Sequence, residues 1–164
     1  MAIEREQRGF ALLIAVIFMS VMLTFGLALG SLGYKQQVLA SSAIESQYAF
    51  YVADAALECA LYADQKLNTF AFNKNLSAPA PVMMCDATAP VSVVTLSHTA
   101  ALWVTTTRFL LDSGKRCADI TVYKPVVATV GSTYIFSQGY DVPCAIVAAP
   151  SGARFVSRGL NARY

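Results

Sequence analysis

Four cysteines, one histidine and a scatter of carboxylates are the side chains in this sequence whose types could do chemistry. Cys59, Cys85, Cys117 and Cys144 form an even set, and an even set in an exported chain reads as two disulfides. Four cysteines allow three pairings. The favoured one joins Cys59 to Cys85, tying a helix to a proline-rich loop, and Cys117 to Cys144, tying neighbouring strands near one end of a hairpin. Zinc is the rival reading, but no two cysteines stand closer than 26 residues, whereas structural zinc sites use short Cys-x-x-Cys pairs. No metal and no cofactor are therefore expected. His98, in Leu96-Ser97-His98-Thr99, has no nucleophile motif beside it and reads as a surface or strand-end histidine. Asp112, Asp119 and Asp141 could be imagined as a carboxylate set, yet each falls at an expected turn or strand edge, where solvated aspartate is ordinary. Phosphate loops, dinucleotide fingerprints and calcium-loop spacings are missing from the sequence. The chain does not read as an enzyme.

Basic residues gather toward the C-terminus, where Arg154, Arg158 and Arg163 could form a patch with Tyr140 and Tyr164 nearby. Such a patch can bind DNA through a sequence-independent, salt-sensitive attraction, but three arginines on one edge more commonly protect an edge strand or meet another subunit. Twelve Lys and Arg against ten Asp and Glu give a net charge of +2, far from the balance of a nucleic-acid binder. Nucleic acid is the less favoured partner.

The elements that position these residues begin with an apolar segment. Of 164 residues, 56% are hydrophobic and 13% charged, where soluble domains carry about 25% charged residues. Residues 10–33, FALLIAVIFMSVMLTFGLALGSLG, hold no charge. As a helix rising about 1.5 Å per residue, they reach about 36 Å and can cross a hydrocarbon core of about 30 Å. Arg5 and Arg8 precede the run, which places the short N-terminus in the cytoplasm by the positive-inside rule. Gly26, Gly30 and Gly33 offer small-residue spacing for close helix packing. The helix is expected to continue through about Asp64, because neither Pro nor Gly interrupts it and Ala, Leu, Glu and Gln favour it. Ile44, Tyr48, Tyr51, Val52, Ala55, Cys59 and Tyr62 recur at helical spacing and are expected to pack on a globular domain, with Glu45, Asp54, Glu58 and Asp64 largely off that stripe.

Residues 68–90, with Pro79, Pro81 and Pro90, read as a loop. Strands are expected over residues 91–96, 102–111, 118–123, 132–138 and 153–163, with turns at Asp112-Ser113-Gly114-Lys115 and Pro150-Ser151-Gly152. Phe155, Leu160 and Tyr164 do not keep strict alternation, which predicts a bulge near Gly159. The fold class is thus α+β: a long N-terminal helix, its first half transmembrane, packed on a C-terminal antiparallel β-sheet head of residues 67–164.

Arg8-Gly9-Phe10 followed by Ala11-Leu12-Leu13 resembles the class III signal of type IV prepilins and pseudopilins. Residues 46–58, SQYAFYVADAALE, resemble the segment of PilX-type minor pilus proteins where the helix enters its head. Residues 132–141, STYIFSQGYD, and 158–164, RGLNARY, resemble strands of such heads. The resemblance implies a leader of residues 1–9, removed between Gly9 and Phe10 by a prepilin peptidase on the cytoplasmic side, and N-methylation of Phe10. It further implies a filament-core helix over residues 10–33 and a continuation packing on the head over residues 34–66. Implied partners are other pilin or pseudopilin subunits and an inner-membrane assembly platform. The precursor would sit in the cytoplasmic membrane, and the product in a surface pilus or periplasmic pseudopilus. Major pilins of this family carry a glutamate at the fifth mature residue; here that position is Ile14, which favours a minor or priming subunit. Two other readings remain open at this stage. One is a bitopic, membrane-anchored extracytoplasmic binding module that forms no filament. The other is a secreted domain cut after Ala28-Leu29-Gly30 and beginning near Ser31.

Overall fold

A computed structural model describes residues 3–71, 79–85, 90–125 and 131–164, with side chains from Phe10 onward. The chain divides into two compact units, Met1–Ser42 and Ala43–Tyr164. A single helix, α1 (Ile3–Gln65), runs through the described part of the first and opens the second.

In the first unit every described side chain of residues 10–41 is exposed, and the helix is long and apolar enough to cross a membrane. Its uncharged run contains three hydroxyls, and each is satisfied inside the helix. Ser20, Thr24 and Ser31 donate to the carbonyls of Ile17, Val21 and Ala28 at 2.8, 2.7 and 2.9 Å. A hydroxyl that bonds its own helix needs no water, which is the condition hydrocarbon surroundings impose.

The second unit is α+β, with the latter part of α1 packed against an antiparallel sheet. Five strands lie in sequence order: β3 (Val94–His98), β4 (Leu102–Leu111), β5 (Arg116–Pro125), β6 (Tyr134–Tyr140) and β7 (Ser157–Arg163). A separate two-stranded ribbon pairs β1 (Val82–Met83) with β2 (Val91–Ser92), and a short helix α2 (Cys144–Ala148) stands between β6 and β7. The expected strand over residues 102–111 has the bounds of β4. That over 91–96 is split at Val93 into β2 and β3; β5 extends further at both ends than expected; β6 lies two residues later. The expected strand over 153–163 begins only at Ser157, because the Pro150-Ser151-Gly152 turn leads into four residues without strand pairing. Part of the expected 68–90 loop lies outside the described residues; within the rest, β1 forms and Phe70 is buried.

Alternation along β4, β5 and β6 sends Phe109, Ala118, Ile120, Val122 and Ile135 to one face, where they join Val52, Ala56 and Leu57 of α1 in the core. The buried positions of α1 are chiefly alanines: Ala49, Ala53, Ala56, Ala60 and Ala63. This corrects the expected packing stripe. Ile44, Tyr48, Tyr51, Ala55 and Tyr62 are exposed, Cys59 is half-buried, and only Val52 of that set is buried. Asp64, expected off the packing face, is buried on it. The physical reason is the closeness of helix to sheet. At Gly139 an added Cβ would collide with the backbone of Ala49 and Ala53, so nothing larger than alanine fits between helix and strand at that turn, and the tyrosines are turned away.

The expected bulge near Gly159 is also corrected. β6 and β7 pair without interruption from Tyr134↔Arg163 to Tyr140↔Ser157, and Phe155 breaks alternation because it precedes the strand. Gly159 instead leaves room for the Phe136 ring, which its Cβ would meet at 3.0 Å. The irregularity in the sheet lies in β3, between Thr95 and Ser97.

Candidate functional site

The helix–sheet seam sets the geometry of the head. Gly139 of β6 lies over the α1 turn between Ala49 and Ala53, and two residues away the Ser137 hydroxyl donates to the Ala53 carbonyl at 2.7 Å, fully buried. A small residue and a hydroxyl on one strand thereby fix both the height and the register of the helix. At the far end of the seam, Lys124 of β5 donates to both carboxylate oxygens of Asp64 at 2.7 and 2.6 Å, and the Tyr164 hydroxyl donates to Oδ2. The Asp64 side chain is 1% exposed. Burial raises the Tyr164 phenol above its ordinary value, and its bond to the Asp64 carboxylate adds to the shift.

A second polar cluster occupies the opposite face of the sheet. The Arg108 guanidinium donates through Nε and Nη2 to the Asp119 carboxylate at 2.6 and 2.7 Å, and the Tyr140 hydroxyl lies 3.3 Å from Oδ2. The hydrogen bond that Arg108 donates to Asp119 raises the Arg108 pKa; burial, with help from Asp119, raises that of Tyr140. Cys117, Tyr140 and Cys144 form a small apolar cluster on this face, with Phe155 against Tyr140 at 5.9 Å between ring centroids.

Beside α1, the tyrosines displaced from the core border a cleft of about 620 Å³ whose lining includes Tyr48, Tyr51, Ala55, Glu58, Tyr62 and Arg116. Tyr51 is 64% exposed and Tyr62 59%. The Arg116 guanidinium sits 4.0 Å above the Tyr48 ring and pairs with Asp112. Glu58 makes no ion pair among the described residues.

Both disulfides have the favoured pairing, Cys59 to Cys85 and Cys117 to Cys144, with Cα atoms 5.9 and 4.7 Å apart. Their sulfurs are consumed and offer no metal a ligand. The second ties β5 to α2 rather than to a neighbouring strand, since Cys144 opens that helix. Other expected residues are placed singly. Gly9 and Phe10 are consecutive in α1. Added Cβ atoms at Gly26, Gly30 and Gly33 meet nothing within 4 Å, so the small-residue side of the helix is open. His98 stacks on Trp103 at the end of β3, 4.8 Å between ring centroids. Asp112, Asp119 and Asp141 do not converge: the first pairs with Arg116, the second with Arg108, and the third accepts from the Val156 amide at 2.8 Å. The three arginines form no single patch. Arg158 and Arg163 are an odd number of residues apart in β7 and so lie on opposite faces; Arg158 donates to Ser46 of α1 and Arg163 to Ser132. Arg154 stands apart on the exposed loop after α2.

The sequence reading missed Asp64–Lys124–Tyr164 and the Gly139 seam. The signal available was the alanine series 49, 53, 56, 60, 63, which alternates steps of four and three and marks a tightly packed helical face. Comparison with protein-family models, curated proteins and solved structures finds no match.

Proposed function

We propose that this chain is a structural subunit of a type IV pilus or related pseudopilus, in a minor or priming position, processed between Gly9 and Phe10 and assembled through its apolar helix. The observation that carries the reading is the unbroken α1. Its uncharged stretch satisfies all three of its hydroxyls internally, and the same helix then becomes the spine of a disulfide-tied β-head. Such a stretch is soluble in lipid and equally in a bundle of similar helices, so one element serves first as anchor and then as filament core. Gly26, Gly30 and Gly33 leave open ground for another helix to approach closely. Ile14 supplies no carboxylate to a neighbour's N-terminal amine, and a buried amine without a partner is costly; a subunit placed where that contact is not made avoids the penalty.

No step of this function is catalytic in the chain itself. The prepilin peptidase acts on it, the assembly platform moves it, and the head is presented to the exterior. N-terminal mass spectrometry of the native protein tests the reading. A mature chain starting at Phe10 and carrying one extra methyl group is expected. Replacing Gly9 with a bulky residue should block both cleavage and assembly. Residues 1–9 on the mature chain would leave the membrane-anchored binding module in its place, and a start near Ser31 the secreted domain.

A further inference from the structure

The tyrosine stripe of α1 has the spacing of a packing face, yet the chain's own sheet does not cover it. Tyr51 and Tyr62 stand eleven residues apart on the helix, with Ala55 between them as a low floor and Glu58 as an anionic group that makes no ion pair among the described residues. Two open aromatic faces, those of Tyr51 and Tyr62, and a carboxylate around an open floor suit a cation carried on a small apolar support. The same structure already contains that chemistry once, in Arg116 over Tyr48.

The chain also presents a surface of the complementary kind. Residues 148–154, Ala-Ala-Pro-Ser-Gly-Ala-Arg, are all exposed. Positive φ at Ser151 and Gly152 folds them into a tight turn, closed by the Ala153 amide donating to the Pro150 carbonyl. This is a knob of small side chains carrying one guanidinium, that of Arg154. We infer that the tyrosine cleft receives the 148–154 knob of a second copy of this chain, with Arg154 opposite Glu58 and its planar group against Tyr51 or Tyr62. The two surfaces are different patches, so the contact is heterologous: the cleft of one copy takes the knob of another. The inference rests on the proposed subunit role and supplies a head-to-head contact for it.

Site-specific photo-crosslinking in cells producing the full-length chain tests it. Tyr51 is replaced by p-benzoylphenylalanine, and isotopically distinct copies are mixed so that links within and between chains are told apart. The expected product is a between-chain link to the 148–154 peptide. Arg154→Glu or Glu58→Arg alone should lower its yield at least about tenfold, as like charges facing each other cost more than about 1.4 kcal/mol. The double variant should restore it. Trp103 fluorescence melting of each variant confirms a folded head. A link from Tyr51 to the cleft of the other copy, to a different polypeptide or to lipid alone, or no link from a folded head, overturns the inference. The mature N-terminus is read in the same sample. Cleavage at Gly9 without the link defeats only the knob-and-cleft contact, and an intact N-terminus defeats the subunit reading.

Discussion

Gly139→Ala is the sharpest test of how the head is held together. The new methyl group would lie far inside contact distance of the Ala49 carbonyl oxygen and the Ala53 amide nitrogen, and 3.0 Å from the Ala53 Cα. All three are backbone atoms of α1, so no side-chain rotation can make room. The helix would have to retreat by about 1 Å to regain van der Waals spacing. Overpacking of this kind typically costs about 1–3 kcal/mol, and the upper end applies because the obstacle is rigid. Retreat also stretches the buried bond from Ser137 to the Ala53 carbonyl, worth a further ~1 kcal/mol. A loss of about 3–4 kcal/mol follows, or about 12–16 °C in melting temperature for a unit of this size. The chain's single tryptophan, Trp103, is 4% exposed and lies in the head, so its fluorescence reports head unfolding in detergent-solubilised full-length protein without interference from the apolar helix. Gly152→Ala is the control: its φ of +84° makes an alanine strained, but its surroundings are open, so the loss should stay near 1 kcal/mol. A Gly139→Ala head melting within about 2 °C of the wild type would refute the close helix–sheet approach.

Three other outcomes are expected. Lys124→Met leaves the buried Asp64 carboxylate with Tyr164 alone; breaking a buried pair costs about 3–5 kcal/mol, and the low end applies because the Lys124 side chain keeps 22% exposure, as urea unfolding will show. Since the native state raises the Tyr164 phenol pKa, the stabilisation linked to it is complete below the unfolded value near 10 and declines as pH rises from there toward the higher native value; Tyr164→Phe should flatten this alkaline loss in melts run from pH 8 upward. Replacing Cys117 and Cys144 together by serine opens a loop of separation 27 and should cost about 3.5 kcal/mol by chain entropy, with a near-equal cost for the Cys59–Cys85 pair, read by denaturant midpoint.

The parts of the fold written in local pattern were legible in the sequence. Strand β4 is a run rich in Val, Thr, Phe and Leu that ends at a turn of Asp, Ser and Gly with positive φ at Asp112, Ser113 and Gly114, so its bounds and its hairpin were readable. The apolar helix was too, while the cysteines allowed three pairings, of which the favoured one is present. The buried face of α1 was not, because hydrophobicity was the wrong quantity to follow. Tyrosines carry more apolar area than alanines, but the distance between helix and sheet decides which residues fit, and that distance is set by Gly139 and Ser137, more than seventy residues away in the chain. Asp64 illustrates the same point: its burial depends on Lys124 and Tyr164, which no local window contains. Helix α2 escaped notice because five residues of Cys, Ala, Ile and Val read equally as a strand fragment.

The two disulfide loops, Cys59–Cys85 and Cys117–Cys144, follow one another without interleaving. Were the head pulled between α1 and β7, tension would pass through the bridges and bypass the residues they enclose. Each bridge withholds roughly 90 Å of extensible chain. Strands β5 and β6 fall almost wholly within the second loop and would stay shielded, while β3, β4 and β7 lie on the force-bearing path. Mechanical yielding of this head would therefore begin by shearing β4 from β5 or β7 from β6, and its length gain would stop well short of the full contour until a bridge was reduced.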